Sequence, residues 1–314
     1  MRHLFIGLAI LGLTLVAHAQ DLPSATPVPV PSLFVSPEPS VPPAPVFTIA
    51  PSKVVQGQSA ELNLQTSQPG KFKVEVAGQS LLMFENGQTE AGKKHKYRSF
   101  LAIKGDLKPG GYTLLLKDEN GQVLLNDKLE VVPGTFSTQY IRFIRPPLSP
   151  EQAALVAEED KSVDEARISR TEQALWDSPF ILPVPHRMSA AYGTRRYLNG
   201  KYNGYHSGVD FASPHGYPIK SPANAVVALA RYFSKYNSNG NTIFLDHGQG
   251  VTSVYIHMSK LAVKNGERVK KGQTIGYIGT TGRSTGPHLH WGVYLNGHNT
   301  DGMSWIRFSE RAFR

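Results

Sequence analysis

The chain has 314 residues, which points to two domains, and a formal charge of +9 from 33 basic and 24 acidic residues. That surplus favours anionic surroundings such as a membrane surface or an acidic wall polymer. No Lys/Arg-rich run with interleaved aromatics occurs, which argues against nucleic acid. There is no cysteine, which excludes disulfides, thiolate catalysis, a lipidated cysteine and sulfur-held metals, so that any metal has to be held by His, Asp or Glu.

The first residues predict export. Arg2 supplies a positive start, Leu4 to Val16 an apolar stretch, and Ala17-His18-Ala19 a small-x-small cleavage site. The apolar run falls short of the roughly 20 residues a membrane span needs. We therefore read 1–19 as a signal peptide, with no stable membrane anchor after cleavage, and place the mature protein in a periplasm, in the cell wall or outside the cell. Residues 20–45 are proline-rich, as in Pro27-Val28-Pro29-Val30-Pro31 and Pro42-Pro43-Ala44-Pro45, a composition that gives an extended, semi-rigid linker.

Residues 46–133 alternate apolar and polar positions in short runs, among them Ala60 to Leu64, Phe72 to Val76, Tyr112 to Leu116 and Val123 to Val131. Turn signals separate these at Gln68-Pro69-Gly70, Glu85-Asn86-Gly87, Lys108-Pro109-Gly110-Gly111 and Glu119-Asn120-Gly121. This pattern predicts a small antiparallel sandwich. Its histidine, His95, is expected to be alone and exposed, and no cluster of metal or acid–base residues occurs here.

Pro146-Pro147-Leu148-Ser149-Pro150 marks a boundary. Ser149 suits a helix cap, with Pro150 in the first helical position. Glu151 to Trp176 has neither Gly nor Pro, so one or two helices are expected as a connector over 147–177. From Ser178 the chain turns glycine-rich, and its pattern is nearly helix-free, with strands predicted at Ala225 to Arg231, Thr242 to Asp246, Thr252 to His257 and Thr274 to Ile278. The fold class is thus mainly β: a β-sandwich, a short helical connector, and an antiparallel β domain over 178–314.

Three segments of that second domain carry the chemistry. On a strand, residues two apart share a face, so His288 and His290 in Gly286-Pro287-His288-Leu289-His290-Trp291 project side by side while Leu289 turns inward. His206 and Asp210, four apart in Tyr205-His206-Ser207-Gly208-Val209-Asp210, share a face by the same rule. A catalytic zinc takes three protein ligands and keeps an open position. His206, Asp210 and one histidine of the pair make such a set, and the other histidine stays nearby for proton transfer. His257, alternating with Tyr255 on a presumed strand, can join it. Calcium wants more oxygens than this cluster offers. His247, in Asp246-His247-Gly248, is placed near the groove.

These segments resemble the LytM/lysostaphin-type zinc endopeptidases, which cut peptides of peptidoglycan. The resemblance covers roughly Ser189 to Leu295 and rests on "YHSGVDFASPHGYPIKSPANAVV", "NTIFLDHGQGVTSVYIHMSKL" and "NGERVKKGQTIGYIGTTGRSTGPHLHWGV". It implies Zn2+ held by His206, Asp210 and His290, with His257 and His288 as catalytic histidines that do not bind the metal, in a peptidase domain with a zinc groove. Asn224 and Trp291 depart from the usual family residues without touching a presumed ligand. The sandwich resembles an immunoglobulin-like module, and its position resembles that of an accessory domain before this peptidase. The implied partner is a peptidoglycan peptide, with 147–177 or 46–133 as candidates to shield the groove. The rival reading is a catalytically silent wall-binding or hydrolase-activating protein.

Overall fold

The computed structural model describes residues 43–89, 94–142 and 147–313. The segment expected to be a signal peptide and most of the proline-rich stretch lie outside the described residues, as does Pro146 of the boundary motif. Among the described residues, no helix is long and apolar enough to cross a membrane.

The alternating runs of the N-terminal half form one eight-stranded sheet. Its order is Val46–Ala50, Ser59–Thr66, His95–Ala102, Gln79–Gln88, Phe72–Val76, Gly110–Lys117, Val123–Val132 and Lys53–Val55. The long Gln79–Gln88 strand pairs with Phe72–Val76 through its first half and with His95–Ala102 through its second. Both halves of the sheet thereby feed one core, which includes Leu62, Leu64, Val74, Leu81, Leu101, Leu114 and Leu129. The turn expected at Glu85-Asn86-Gly87 lies inside this strand. The register shifts between Glu85 and Gln88, and Gly87 takes a positive φ of 96°, so the turn-forming residues make a bulge instead of a reversal. His95 also departs from expectation, because its Nδ1 lies 3.1 Å from Glu85 Oε1 across the same strand pair.

The connector is one helix, α1 (Pro150–Ala166). The Ser149 side chain accepts from Gln152 N–H while the Gln152 side chain accepts from Ser149 N–H, a closed capping box with proline in the first turn. The helix ends ten residues before Trp176, the end of the Gly- and Pro-free stretch, because residues 169–171 make better bonds elsewhere. The buried Asp246 carboxylate accepts from Ser169 Oγ, Arg170 N, Thr171 N, Thr171 Oγ1 and Gly248 N. These bonds satisfy backbone donors that would otherwise continue a helix.

The C-terminal domain is built on a sheet ordered Met188–Ala190, Val209–Ala212, His288–Leu295, Val251–Met258, Asn241–Gly248, Ala225–Arg231 and Arg268–Val269. Residues paired across neighbouring strands share a face, so the register sorts its two surfaces. Leu289, Trp291, Val293, Tyr255, Val209 and Phe211 point one way, into a core completed by Trp305 and Phe308 and by Phe100 and Ala102 of the sandwich. The aromatic cluster is close-packed, with Phe100 and Trp305 centroids 5.2 Å apart and edge to face; each fully buried ring of this size contributes about 1.5–3 kcal/mol. Trp305 and Phe308 lie on a second helix, α2 (Gly302–Ala312), capped by Asp301. The nearly helix-free reading of this domain missed it. Gly302 is required where it stands, since a Cβ there would lie 2.7 Å from the Trp291 ring.

The opposite face carries His288, His290, Gly292 and Tyr294, paired with Ile256, Val254 and Thr252. α1 packs on this side, where Ala166 and Val163 meet Leu229, Phe233, Phe244 and Val254. Glu159 of α1, buried, accepts from Ser234 N and Ser234 Oγ. Of the two candidates for shielding, α1 shares the histidine face and the sandwich packs behind it.

Candidate metal centre

The structure brings together all five site residues named from the sequence. Asp210 sits directly opposite His290 in the pairing of Val209–Ala212 with His288–Leu295. His206 enters from the preceding loop, where it is fixed by two backbone bonds: His206 N–H donates to Thr194 O and Gly193 N–H donates to His206 O. Three donor atoms converge. His206 Nε2 lies 2.8 Å from His290 Nδ1 and 3.0 Å from Asp210 Oδ1, and His290 Nδ1 lies 2.8 Å from Asp210 Oδ1. Among the described residues this is the group of His and carboxylate side chains close enough to hold a metal ion.

Neighbouring groups decide which nitrogen each ring offers. A carbonyl can only accept, so His206 Nδ1–H donates to Ala191 O, 3.0 Å away, and Nε2 turns its lone pair to the cluster. Gly208 keeps room for His290: a Cβ there would come within 2.7 Å of Nε2 of that ring and 2.5 Å of Trp291 O. Burial works against the Asp210 charge, yet its close contacts with the His206 and His290 rings outweigh it and hold the carboxyl below its ordinary range. His290 is also pushed down, first by burial, with His206 and Arg196 opposing its charge and the Asp210 hydrogen bond favouring it. Two imidazole nitrogens and one carboxylate oxygen, three ligand atoms around one point, suit a zinc-like divalent cation with a position left open.

His257 and His288 stand beside this triangle. Their ring centroids are 4.7 Å apart, and His257 is 6.4 Å from His290. Strict alternation would turn His257 to the same side as Tyr255, which is fully buried in the opposite core. Instead His257 takes a positive φ of 64°, a conformation uncommon outside glycine that reorients the side chain. Its Nδ1–H donates to Thr281 O at 2.8 Å, and His288 Nδ1–H donates to Gly286 O at 2.8 Å. With Nδ1–H engaged, Nε2 is the acceptor nitrogen in the neutral form of each ring. Burial, the largest cause, lowers the His257 pKa to about 4, so this ring is neutral at neutral pH.

Sequence reasoning passed over the partners that aim these rings, Ala191, Thr281 and Gly286, because backbone carbonyls carry no signature. It also passed over Arg196. That side chain is half-buried, its Nε has no hydrogen-bond partner among the described residues, and it lies within the electrostatic reach of Asp210 and Arg283. Its basicity is lowered by burial, raised by Asp210 and lowered again by Arg283.

His247 belongs elsewhere. It is fully buried on the other face, donating through Nδ1 to Asn224 O and bonded through Nε2 to Ser253 Oγ. Burial lowers its pKa to about 4. Below about pH 6.5 the unfolded chain therefore takes up a proton that the folded chain refuses until about pH 4. The stability this ring contributes is complete above pH 6.5 and is lost as pH falls through 4, a drop of about 3 kcal/mol. Urea unfolding between pH 7 and 4 should show it, and His247→Asn should flatten that part of the profile.

The family comparison covers the part of the chain that carries these residues. Residues 204–302 match the model of peptidase family M23. Peptidoglycan DD-endopeptidase ShyC of Vibrio cholerae is 41% identical over 114 residues, 35% of this chain and 25% of the relative, so the match spans about a quarter of that protein. The catalytic domain of the antimicrobial peptidase lysostaphin from Staphylococcus simulans is 36% identical, with 39% of this chain and 92% of that domain covered and a TM-score of 0.35. A crystal structure from Pseudomonas aeruginosa assigned to peptidase M23 is 27% identical, with a TM-score of 0.56, covering 80% of this chain and 94% of the other. The family match over residues 204–302, with the fold shared with the Pseudomonas aeruginosa structure, shows that this chain carries a peptidase family M23 domain.

Proposed function

We propose that this chain is an exported, zinc-dependent endopeptidase that hydrolyses stem peptides or cross-bridges of bacterial peptidoglycan, with His206, Asp210 and His290 as zinc ligands and His257 and His288 as catalytic histidines. The observation that carries the reading is the triangle of three ligand atoms with two further imidazoles beside it, each with Nε2 as its acceptor nitrogen. When bound, the metal supplies Lewis acidity toward the scissile carbonyl and makes water a nucleophile at neutral pH. His288 Nε2 would accept the proton of the attacking water and return it to the leaving amine, and His257, anchored through Nδ1–H to Thr281 O and packed against that ring, would share the proton as a neighbouring base. The low pKa of His257 suits a group that is neutral at rest and gives up a proton readily once charged. The peptidoglycan substrate draws on the name of the 41% identical relative, and cleavage between D-amino acids is the reading that name favours.

The alternative, a catalytically silent wall-binding protein, draws on α1, which covers the Leu229 and Val254 part of the histidine face. Purified sacculi incubated with the full-length protein distinguish the two. We expect muropeptides with a newly freed D-alanine carboxyl, identified by mass spectrometry, and none after chelation. Release of no peptide product at any zinc level would favour the silent reading.

A further inference from the structure

A second feature lies on the hairpin that delivers His206. Arg195–Leu198 and Lys201–Tyr205 pair around Asn199-Gly200, both at positive φ (49° and 81°), a tight turn that fixes the register. The parallel Thr138–Ile141 strand adds a third member. Tyr197 stands opposite Tyr202 on one neighbour and opposite Tyr140 on the other, so three tyrosines form one row across three strands. Ring centroids are 5.2 Å apart for Tyr140 and Tyr197 and 5.6 Å apart for Tyr197 and Tyr202. The outer two are open to solvent, Tyr140 at 76% and Tyr202 at 52% exposure. Nothing in the core needs this row, and exposed aromatic surface held in register is a recognition surface more often than an accident of packing.

We propose that Tyr140, Tyr197 and Tyr202 form a stacking platform for the glycan strand that carries the peptide substrate, an inference that rests on the peptidoglycan reading above. A phenol ring offers an apolar face to the C–H side of a pyranose and a hydroxyl to its polar substituents. The row contains no aliphatic side chain, and exposed Arg195 stands two residues from Tyr197 on the same strand, a composition that suits a hydrated, anionic polymer better than an acyl chain. The platform is continuous with the catalytic site. Tyr202 precedes His206 by four residues, about 13 Å of strand, and a four-residue stem peptide in extended form spans about 13 Å. A strand seated on the tyrosines therefore leaves its stem peptides long enough to reach the cluster. The base of the hairpin is locked to that cluster by the Thr194 and Gly193 bonds to His206, and Tyr192 and Tyr205 hydroxyls both donate to Asn299 Oδ1.

The test uses full-length protein and peptide-free glycan strands prepared from sacculi by amidase digestion, with binding read by calorimetry. The wild-type protein should bind these strands. Tyr140→Ala and Tyr202→Ala together should weaken binding about tenfold, Tyr140→Trp should retain it, and turnover of a short soluble peptide cross-link should be unchanged in all of them. Because the glycan probe has no scissile bond, its binding is independent of whether the protein hydrolyses peptides. Failure of the wild-type protein to bind, or equal binding by the double alanine variant, would overturn the proposal. So would loss of self-association or of vesicle binding in the variants with glycan binding intact, since the row would then serve a second copy of the chain or a membrane.

Discussion

Asp210→Ala is expected to yield a folded protein that retains no stoichiometric metal and releases no peptide from sacculi. Asp210 is the one carboxylate of the triangle and touches both imidazoles, at 2.8 Å from His290 and 3.0 Å from His206. Its loss removes the negative charge that offsets a divalent cation and leaves two imidazole rings, which together make a weak site. The fold has little stake in it, because the neighbours that hold the strand in place, Val209 and Phe211, point into the opposite core. Elemental analysis after gel filtration should give about one zinc per chain for the wild-type protein and close to none for the variant, with matching circular dichroism. His206→Ala should behave in the same way. Full hydrolysis by either variant would remove the cluster from the mechanism.

The expected result depends on features that a sequence conveys unevenly. The period-two rule holds for His288 and His290, which lie on the regular strand His288–Leu295. It does not reach His206, which precedes the Val209–Ala212 strand, and only strand pairing sets Asp210 opposite His290. The Ser149 cap is equally legible, since its partners lie within one helical turn. His257 is a different case. Alternation alone sends it into the core with Tyr255, and only its positive φ brings it beside His288 and His290. The family resemblance named it where the pattern misdirected.

What stayed hidden has a common physical origin. The end of α1 is set by Asp246, about 75 residues away, whose carboxylate offers residues 169–171 bonds that compete with a helix. Helix α2 is eleven residues long and begins at a glycine, so its intrinsic propensity is poor. Burial of Trp305 and Phe308 against Phe100 makes it stable. The Glu85-Asn86-Gly87 signal was a true local signal overruled by strand pairing on both sides. In each instance a partner distant in sequence decides between two locally allowed conformations.

The pair His288 and His290 provides the sharpest separation of roles. Both lie on one strand face, two residues apart, yet their surroundings differ. His290 is inside the triangle, with Nδ1 toward Asp210 and His206. His288 is outside that group, tied by Nδ1–H to Gly286 O, and its ring packs against His257. His290→Ala should therefore lose both metal and turnover. His288→Ala should keep about one zinc per chain and an unchanged unfolding midpoint while kcat falls about 10²- to 10⁴-fold, the usual contribution of a positioned acid or base. KM should move little, because the ring takes a proton and does not anchor the peptide. His288→Gln is the informative companion: it preserves the volume and a hydrogen-bonding group but cannot accept and release a proton near neutral pH, so it should be nearly as slow as the alanine variant. Metal loss in His288→Ala would make this histidine a ligand and return the acid–base task to His257 alone.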